Sequence, residues 1–373
     1  MTIKHKFVSA IAEGADAGAV RVSNWNDDHT ILDFSKFVCN GRLTLQAGEP
    51  VSTIDRADKT NLYFTPYKGN EVSLYDGTNW IRHEFTERTL ALGGVTLPTE
   101  AFTNDPAAGT DISLSVASTT GFTVGQPIVV TSSAGSDTTY ISALVANTSI
   151  TAHSLALNHT TTTPLITGGI PVDIYLYNNA GALTLSGTVW TNGTTRATAL
   201  VAQDGVYCKT GALTYRYLGT IYMDADQECQ DTVLRRYVWN YYNRNLMKLY
   251  MLEASLHTYN VSAYRAWNND AALASVYFVI GVLEEAIQFS LAAQFKAGGA
   301  GINNAVALGK DGADPSAANG SLGLTNRAAD QIRLGSVAEY GFGVGYHSAT
   351  VNEYSHATGG TFYDTVLQAF ING

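Results

Sequence analysis

The sequence predicts a mainly β protein, an elongated multi-module chain of antiparallel β-sandwich domains with few short helices. Three observations lead there. Apolar residues recur with period two along several segments. Asp-Gly and Asn-Gly pairs separate those segments, and both tolerate the positive φ angles of tight hairpin turns. Charged residues make up only 14% of the 373 residues, while 45% are hydrophobic. Strands that bury much of their surface suit that balance better than solvated helices do.

Taken in order, residues 1–35 form a polar arm whose lone Trp25 cannot nucleate a core and is expected to dock elsewhere. Residues 36–103 read as a small β-module with a hairpin at Asp76-Gly77. In 104–168 Thr, Ser and Ala dominate and aromatic rings almost vanish. That stretch reads as an inserted β-module, and 36–103 with 169–222 as the interrupted parent. Within the insertion, 112–130 reads as two strands joined by a Gly-centred turn. Further on, Val172, Ile174 and Leu176 alternate with Asp173, Tyr175 and Tyr177, as in a half-buried strand. Turn signals follow at 178–181, Asn192-Gly193 and Asp204-Gly205. Residues 223–244 read as a connector, and 230–239 fit a short helix or a strand equally well. The C-terminal stretch, 245–373, reads as one β-sandwich. Its run 276–280 suits a central strand, and Ile287, Phe289, Leu291 and Ala293 share one face of another. A Gly-rich loop is expected near 297–323.

Composition narrows the function. The net charge is -10 with no basic run, which argues against nucleic acid, since phosphate is bound chiefly through Lys and Arg. No apolar stretch approaches the roughly 18 residues of a membrane span, and the first residues lack the apolar core of a secretory signal. Three scattered cysteines (Cys39, Cys208, Cys229) make neither a disulfide framework nor a zinc pattern, and fit folding in a reducing cytosol.

Catalytic chemistry is thinly represented. No nucleophile elbow, zinc-protease motif, phosphate loop or dinucleotide fingerprint occurs. Asp224, Asp226 and Glu228 alternate as in part of a calcium loop, without its Gly and closing Glu. The pairs Asp27-Asp28 and Glu284-Glu285 would face opposite ways on a strand. His153 and His159, and His347 and His356, lack a third ligand nearby in sequence. No cofactor, metal or enzymatic activity is expected. The aromatics say more, with Tyr at 21 against 13 Phe and 5 Trp. Tyr joins a flat apolar ring to a hydroxyl, which suits interfaces and sugar rings. Trp239, Tyr241, Tyr242 and Arg244 cluster either as an intersubunit surface or as ordinary core. Tyr259, Tyr264, Trp267, Tyr346 and Tyr354 are the candidates for contact with a host surface, in loops of the C-terminal sandwich.

Three segments resemble fibre-type or appendage proteins of tailed-bacteriophage virions. They are VSNWNDDHTI at 22–31; LYFTPYKGN at 62–70 with SLYDGTNW at 73–80; and NGTTRATAL at 192–200 continuing through YLGT at 217–220 to RYVWNYYNR at 236–244. The resemblance runs through much of the first two-thirds of the chain and leaves out 104–168. It implies a structural virion protein, a homotrimer at a tail fibre, tail tip or head fibre, assembled in the bacterial cytoplasm. Trp25, Asn26 and His29 would dock it on other tail or capsid proteins, and distal β-domains would touch a bacterial surface glycan or protein. A capsid-decorating or connector protein without a receptor role is the second reading. A glycan-degrading tailspike is the third, and no rung-like repeat of the kind such enzymes use is visible.

Overall fold

The computed structural model describes residues 2–3, 29–30, 34–283, 286–311, 323–326 and 332–373. Among the described residues strands dominate, and the helical elements are three short 3-10 turns at Phe34–Phe37, Leu92–Gly94 and Trp267–Asn269. The sheets are antiparallel, apart from one short parallel pairing of Arg235–Arg236 with Ser275–Ile280.

Three hydrophobic cores organise the chain. The first joins distant segments. Its sheet runs Ala182–Val189, Ile170–Asn179, Ala212–Met223, Val206–Lys209, Leu200–Gln203. Against it lie the sheet Gly41–Thr44, Asn61–Pro66, Arg88–Ala91 and the hairpin Glu71–Tyr75 with Trp80–Glu84. Leu43, Phe64, Val72, Ile174, Tyr217 and Trp239 meet in that core. The second core belongs to a six-stranded sheet that spans Thr99–Glu100 through Leu165–Gly168 and is filled by Phe102, Leu114, Ile128, Ile141 and Ile166. The third lies between two C-terminal sheets. One carries Asn304–Lys310, Gly345–Tyr354 and Ser275–Ile280; the other carries Leu246–Glu253, Gly360–Asn372, Ile287–Ala297 and Ile332–Tyr340.

Several expectations meet the structure directly. Asp76-Gly77, 178–181 and Asp204-Gly205 each close a hairpin of paired strands. Along Ile287–Ala297, Ile287, Phe289, Leu291 and Ala293 are buried while Gln288 and Ser290 are exposed, so period two places apolar side chains on the core face. The run Ser275–Ile280 is buried throughout, as a central strand should be.

Other expectations are corrected. The strand Ile170–Asn179 is buried on both faces over most of its length, because Tyr175 packs edge-on against Tyr217 and Asp173 pairs with Arg196. Residues 112–130 do supply two strands, but they do not form a hairpin: Gly109–Ser115 pairs with Ser149–Leu155, and Pro127–Ser132 with Gly135–Val145 and Leu165–Gly168. Asn192-Gly193 closes no hairpin either; its loop is held by Thr191 N–H donating to the Thr195 carbonyl, and the Gly193 carbonyl accepts from Tyr346 N–H. In 230–239 the helix does not form. Thr232 and Arg235 exchange backbone hydrogen bonds in a tight turn, and Arg236 pairs with Asp231 across it at 2.9 Å. The stretch read as a connector thereby adds Cys229–Asp231 and Arg235–Arg236 to a C-terminal sheet, and Cys229–Asp231 pairs onward to Arg56–Lys59.

Candidate functional site

Within 236–244, Tyr237 and Trp239 are core, Tyr241 and Tyr242 are half-buried against it, and Arg244 is exposed. Trp239 is buried among the rings of Tyr217 and Tyr241, and Tyr241 packs edge-on against Tyr242. Arg244 lies over the Trp239 ring at 5.2 Å, and Arg216 over Tyr242 at 4.6 Å. The intersubunit role considered for Trp239 is therefore corrected: Val238–Asn240 is buried on both faces, and the indole lies inside its own chain. Burial holds the Tyr217 and Tyr242 hydroxyls well above the usual tyrosine range.

Beside this cluster lies a buried ion pair. Arg196 Nε donates to Asp173 Oδ2 at 2.7 Å, and Thr220 donates to Oδ1 of the same carboxylate at 2.7 Å. The Arg196 guanidinium also covers the Trp190 ring at 4.4 Å and donates to the Gly281 carbonyl, which links the first core to the C-terminal sandwich. Burial pushes the Asp173 carboxyl above its ordinary value, and Arg196 opposes that shift.

The host-contact candidates divide. Trp267 is fully buried, Tyr259 is buried with its hydroxyl donating to the Ala263 carbonyl, and Tyr346 stacks on Tyr222 at 4.2 Å inside the chain. These three are corrections: Tyr259 ends the strand His257–Tyr259, Tyr346 lies in Gly345–Tyr354 and Trp267 opens a 3-10 turn, and burying a large ring against the core is favourable. Tyr264 and Tyr354 remain nearer the surface, paired across Tyr264–Ala266 and Gly345–Tyr354 with centroids 5.2 Å apart. Trp25 and Asn26, like Asp27-Asp28 and Glu284-Glu285, lie outside the described residues. His29 falls in the two-residue strand His29–Thr30, paired with Thr2–Ile3.

The polar candidates have structural partners. Asp224 accepts the backbone N–H groups of Asp226 and Glu228, so its carboxylate closes a turn. His159 is buried between Ser132 at 3.0 Å and Asp137 at 3.1 Å, and His347 contacts Asp311 at 3.0 Å. His356 caps its own turn through Thr358. Among the described residues no group of three His, Cys, Asp or Glu is arranged to hold a metal.

A cleft opens between the 99–168 sheet and the C-terminal sandwich. It comprises two adjoining recesses of about 240 and 440 Å³, the larger within the usual size of small-molecule sites, roughly 300–1,000 Å³. Both recesses share Gly125, Tyr140, His153, Asn269 and Tyr277. Tyr140 projects from Gly135–Val145 and stacks flat on His153 of Ser149–Leu155, with centroids 4.4 Å apart. Asp111 lies 3.7 Å from His153. From the opposite wall come Tyr264, Arg265 and Ser348 in the smaller recess, and Arg235 and Asp270 in the larger. Tyr277 is fixed by donating its hydroxyl to the Ala271 carbonyl at 3.1 Å. Burial, then the neighbouring Tyr277, Asp270 and Asp111, hold the Tyr140 phenol above its ordinary value, so it stays a neutral hydroxyl at physiological pH.

Of the cleft residues only Tyr264 was singled out from sequence as a contact residue. The signal that could have found Tyr140 is its isolation: with Phe122 it is one of two Phe, Tyr or Trp rings in 104–168.

No family model matches the sequence, and no curated protein does. Solved structures with some likeness include that of the infectious bursal disease virus Gx strain, 9% identical with a TM-score of 0.25 over 75% of this chain and 73% of that one. An exo-β-1,3-galactanase from Phanerochaete chrysosporium is 11% identical with a TM-score of 0.17, over 82% and 78% of the two chains. The Cry4Aa toxin of Bacillus thuringiensis is 8% identical with a TM-score of 0.20, over 85% and 51%. Scores this low establish neither a shared fold nor a shared role.

Proposed function

We propose that the protein is an appendage of a tailed-phage virion, trimeric and docked through its N-terminal arm. In this reading the cleft between the 99–168 sheet and the C-terminal sandwich holds a bacterial surface saccharide and does not cleave it. The observation that carries the binding role is the cleft lining. The flat Tyr140–His153 stack and the rings of Tyr264 and Tyr277 stand beside the Asp111 carboxylate, the Arg265 guanidinium and the Asn269 amide. A sugar ring presents an apolar face that packs on such rings, and a rim of hydroxyls that needs donors and acceptors of this kind. The virion assignment is supported by the three sequence segments described above.

The test uses the full-length chain, because the cleft needs both walls. Binding is measured against a panel of purified bacterial surface polysaccharides, for the native protein and for Tyr140→Ala and Tyr264→Ala. Saturable binding weakened by both substitutions supports the proposal. Binding indifferent to them refutes the cleft. Released reducing ends would make the protein a glycan-degrading enzyme instead. A chain that joins the particle and binds no glycan would be a decoration or connector.

A further inference from the structure

The sheet made by Leu246–Glu253, Gly360–Asn372, Ile287–Ala297 and Ile332–Tyr340 covers the C-terminal core with one face. Its other face is not polar throughout. Leu252, Val337 and Phe370 stand 53%, 57% and 45% exposed on it. Single exposed apolar residues are ordinary, but three spread across one face of a single sheet, with half-buried Tyr250, Val366 and Ala292 between them, mark a contact surface. The register adds a second feature. Lys248 lies opposite Phe370, and Glu339 lies opposite Gln288, so the two charges fall in one row on the two edge strands.

We propose that this face packs against further copies of the chain, about a rotation axis running along its strands. Such an axis, two-fold or three-fold, carries one edge of the sheet to the opposite edge of the next copy at the same height. Lys248 of one copy then meets Glu339 of the next, and the apolar side chains between them are covered. Charge complementarity within a single surface is what a self-associating face requires, because both partners present the same residues. The area suffices. Four strands about 4.8 Å apart and eight residues at about 3.3 Å give a footprint of roughly 500 Å² per copy. Two such footprints reach about 1,000 Å², the lower end for specific association. The trimeric reading above supplies the copy number; the face is the new assignment.

Sedimentation of the full-length protein tests it, with far-ultraviolet circular dichroism to confirm folding. Lys248→Glu and Glu339→Lys each set like charges against each other and raise the apparent dissociation constant at least about tenfold. The double variant restores opposite charges with their signs exchanged and returns to within about threefold of the native protein. Val337→Arg, which changes neither partner of the charge pair, weakens assembly by a similar factor. An oligomer unmoved by all four variants overturns this face and leaves the trimer standing. A native chain that is monomeric at micromolar concentration overturns both.

Discussion

Replacing Arg196 with Met removes a charge and keeps most of the bulk over Trp190. The Asp173 carboxylate is then buried without its cation: its side chain is only 2% exposed and that of Arg196 13%. Breaking a buried ion pair in this way costs about 3–5 kcal/mol, most of it the penalty of the orphaned charge. The Gly281 carbonyl also loses its guanidinium donor, an unmade bond of about 1–3 kcal/mol if water cannot reach it. The expected loss is therefore at least about 3 kcal/mol, read by urea denaturation with the fluorescence of Trp190 and Trp239 reporting on the first core. Adding Asp173→Asn removes the stranded charge, so the double variant recovers most of the deficit. The pH dependence has a definite sign. Because burial raises the Asp173 carboxyl in the folded state, its contribution is most favourable below the unfolded value and is lost as pH rises through the folded value. The Arg196→Met deficit is accordingly full at neutral pH and shrinks on acidification. A loss below about 1 kcal/mol, or a double variant no more stable than the single one, would refute the argument.

Other predictions follow from close packing and burial. A Cβ at Gly219 would stand 2.2 Å from the Trp239 carbonyl, so Gly219→Ala should push apart the strands Ala212–Met223 and Val238–Asn240. A cost of about 1–3 kcal/mol in a denaturant titration is expected, and an unchanged midpoint would contradict the pairing. All three cysteines are buried and unpaired, and burial pushes the Cys39 and Cys208 thiols up to about 11 and the Cys229 thiol well above its ordinary value. Native protein should resist iodoacetamide at pH 8 and take up three labels once unfolded, because the thiolate is the nucleophile. Rapid labelling of the native chain would contradict that burial. Tyr140→Ala and Tyr264→Ala should each lower saccharide affinity roughly twofold to tenfold while leaving the unfolding midpoint nearly unchanged, as titration calorimetry beside a melt would reveal.

What could be read beforehand was local. Period two with a two-residue turn specifies strand pairing between neighbours, so the hairpins at 76–77, 178–181 and 204–205 were legible, as was the inward face of Ile287–Ala297. Burial of the second face was not legible, because it depends on partners far away in the chain. Asp173 marks a wet face until Arg196, 23 residues on, neutralises it. Tyr346 looks like a loop contact until Tyr222 stacks on it from another module. The candidate site was mostly invisible for the same reason. Its walls come from 110–154 and 235–350, and no linear motif joins Tyr140 to Tyr277. Tyr264 was legible because it belongs to a polar loop-like stretch and stays near the surface. Whether Trp239 faces a neighbour or its own core stayed open in the sequence, because aromatic richness is shared by cores and interfaces alike.

In the proposed role the cleft binds a bacterial surface saccharide without cleaving it. The most direct test is equilibrium binding of the full-length protein to the polysaccharide panel, with reducing ends assayed in the same tubes. Saturable binding to at least one polysaccharide is expected, weakened by Tyr140→Ala and by Tyr264→Ala, with no reducing ends released. Equal binding by the native protein and both variants would contradict it.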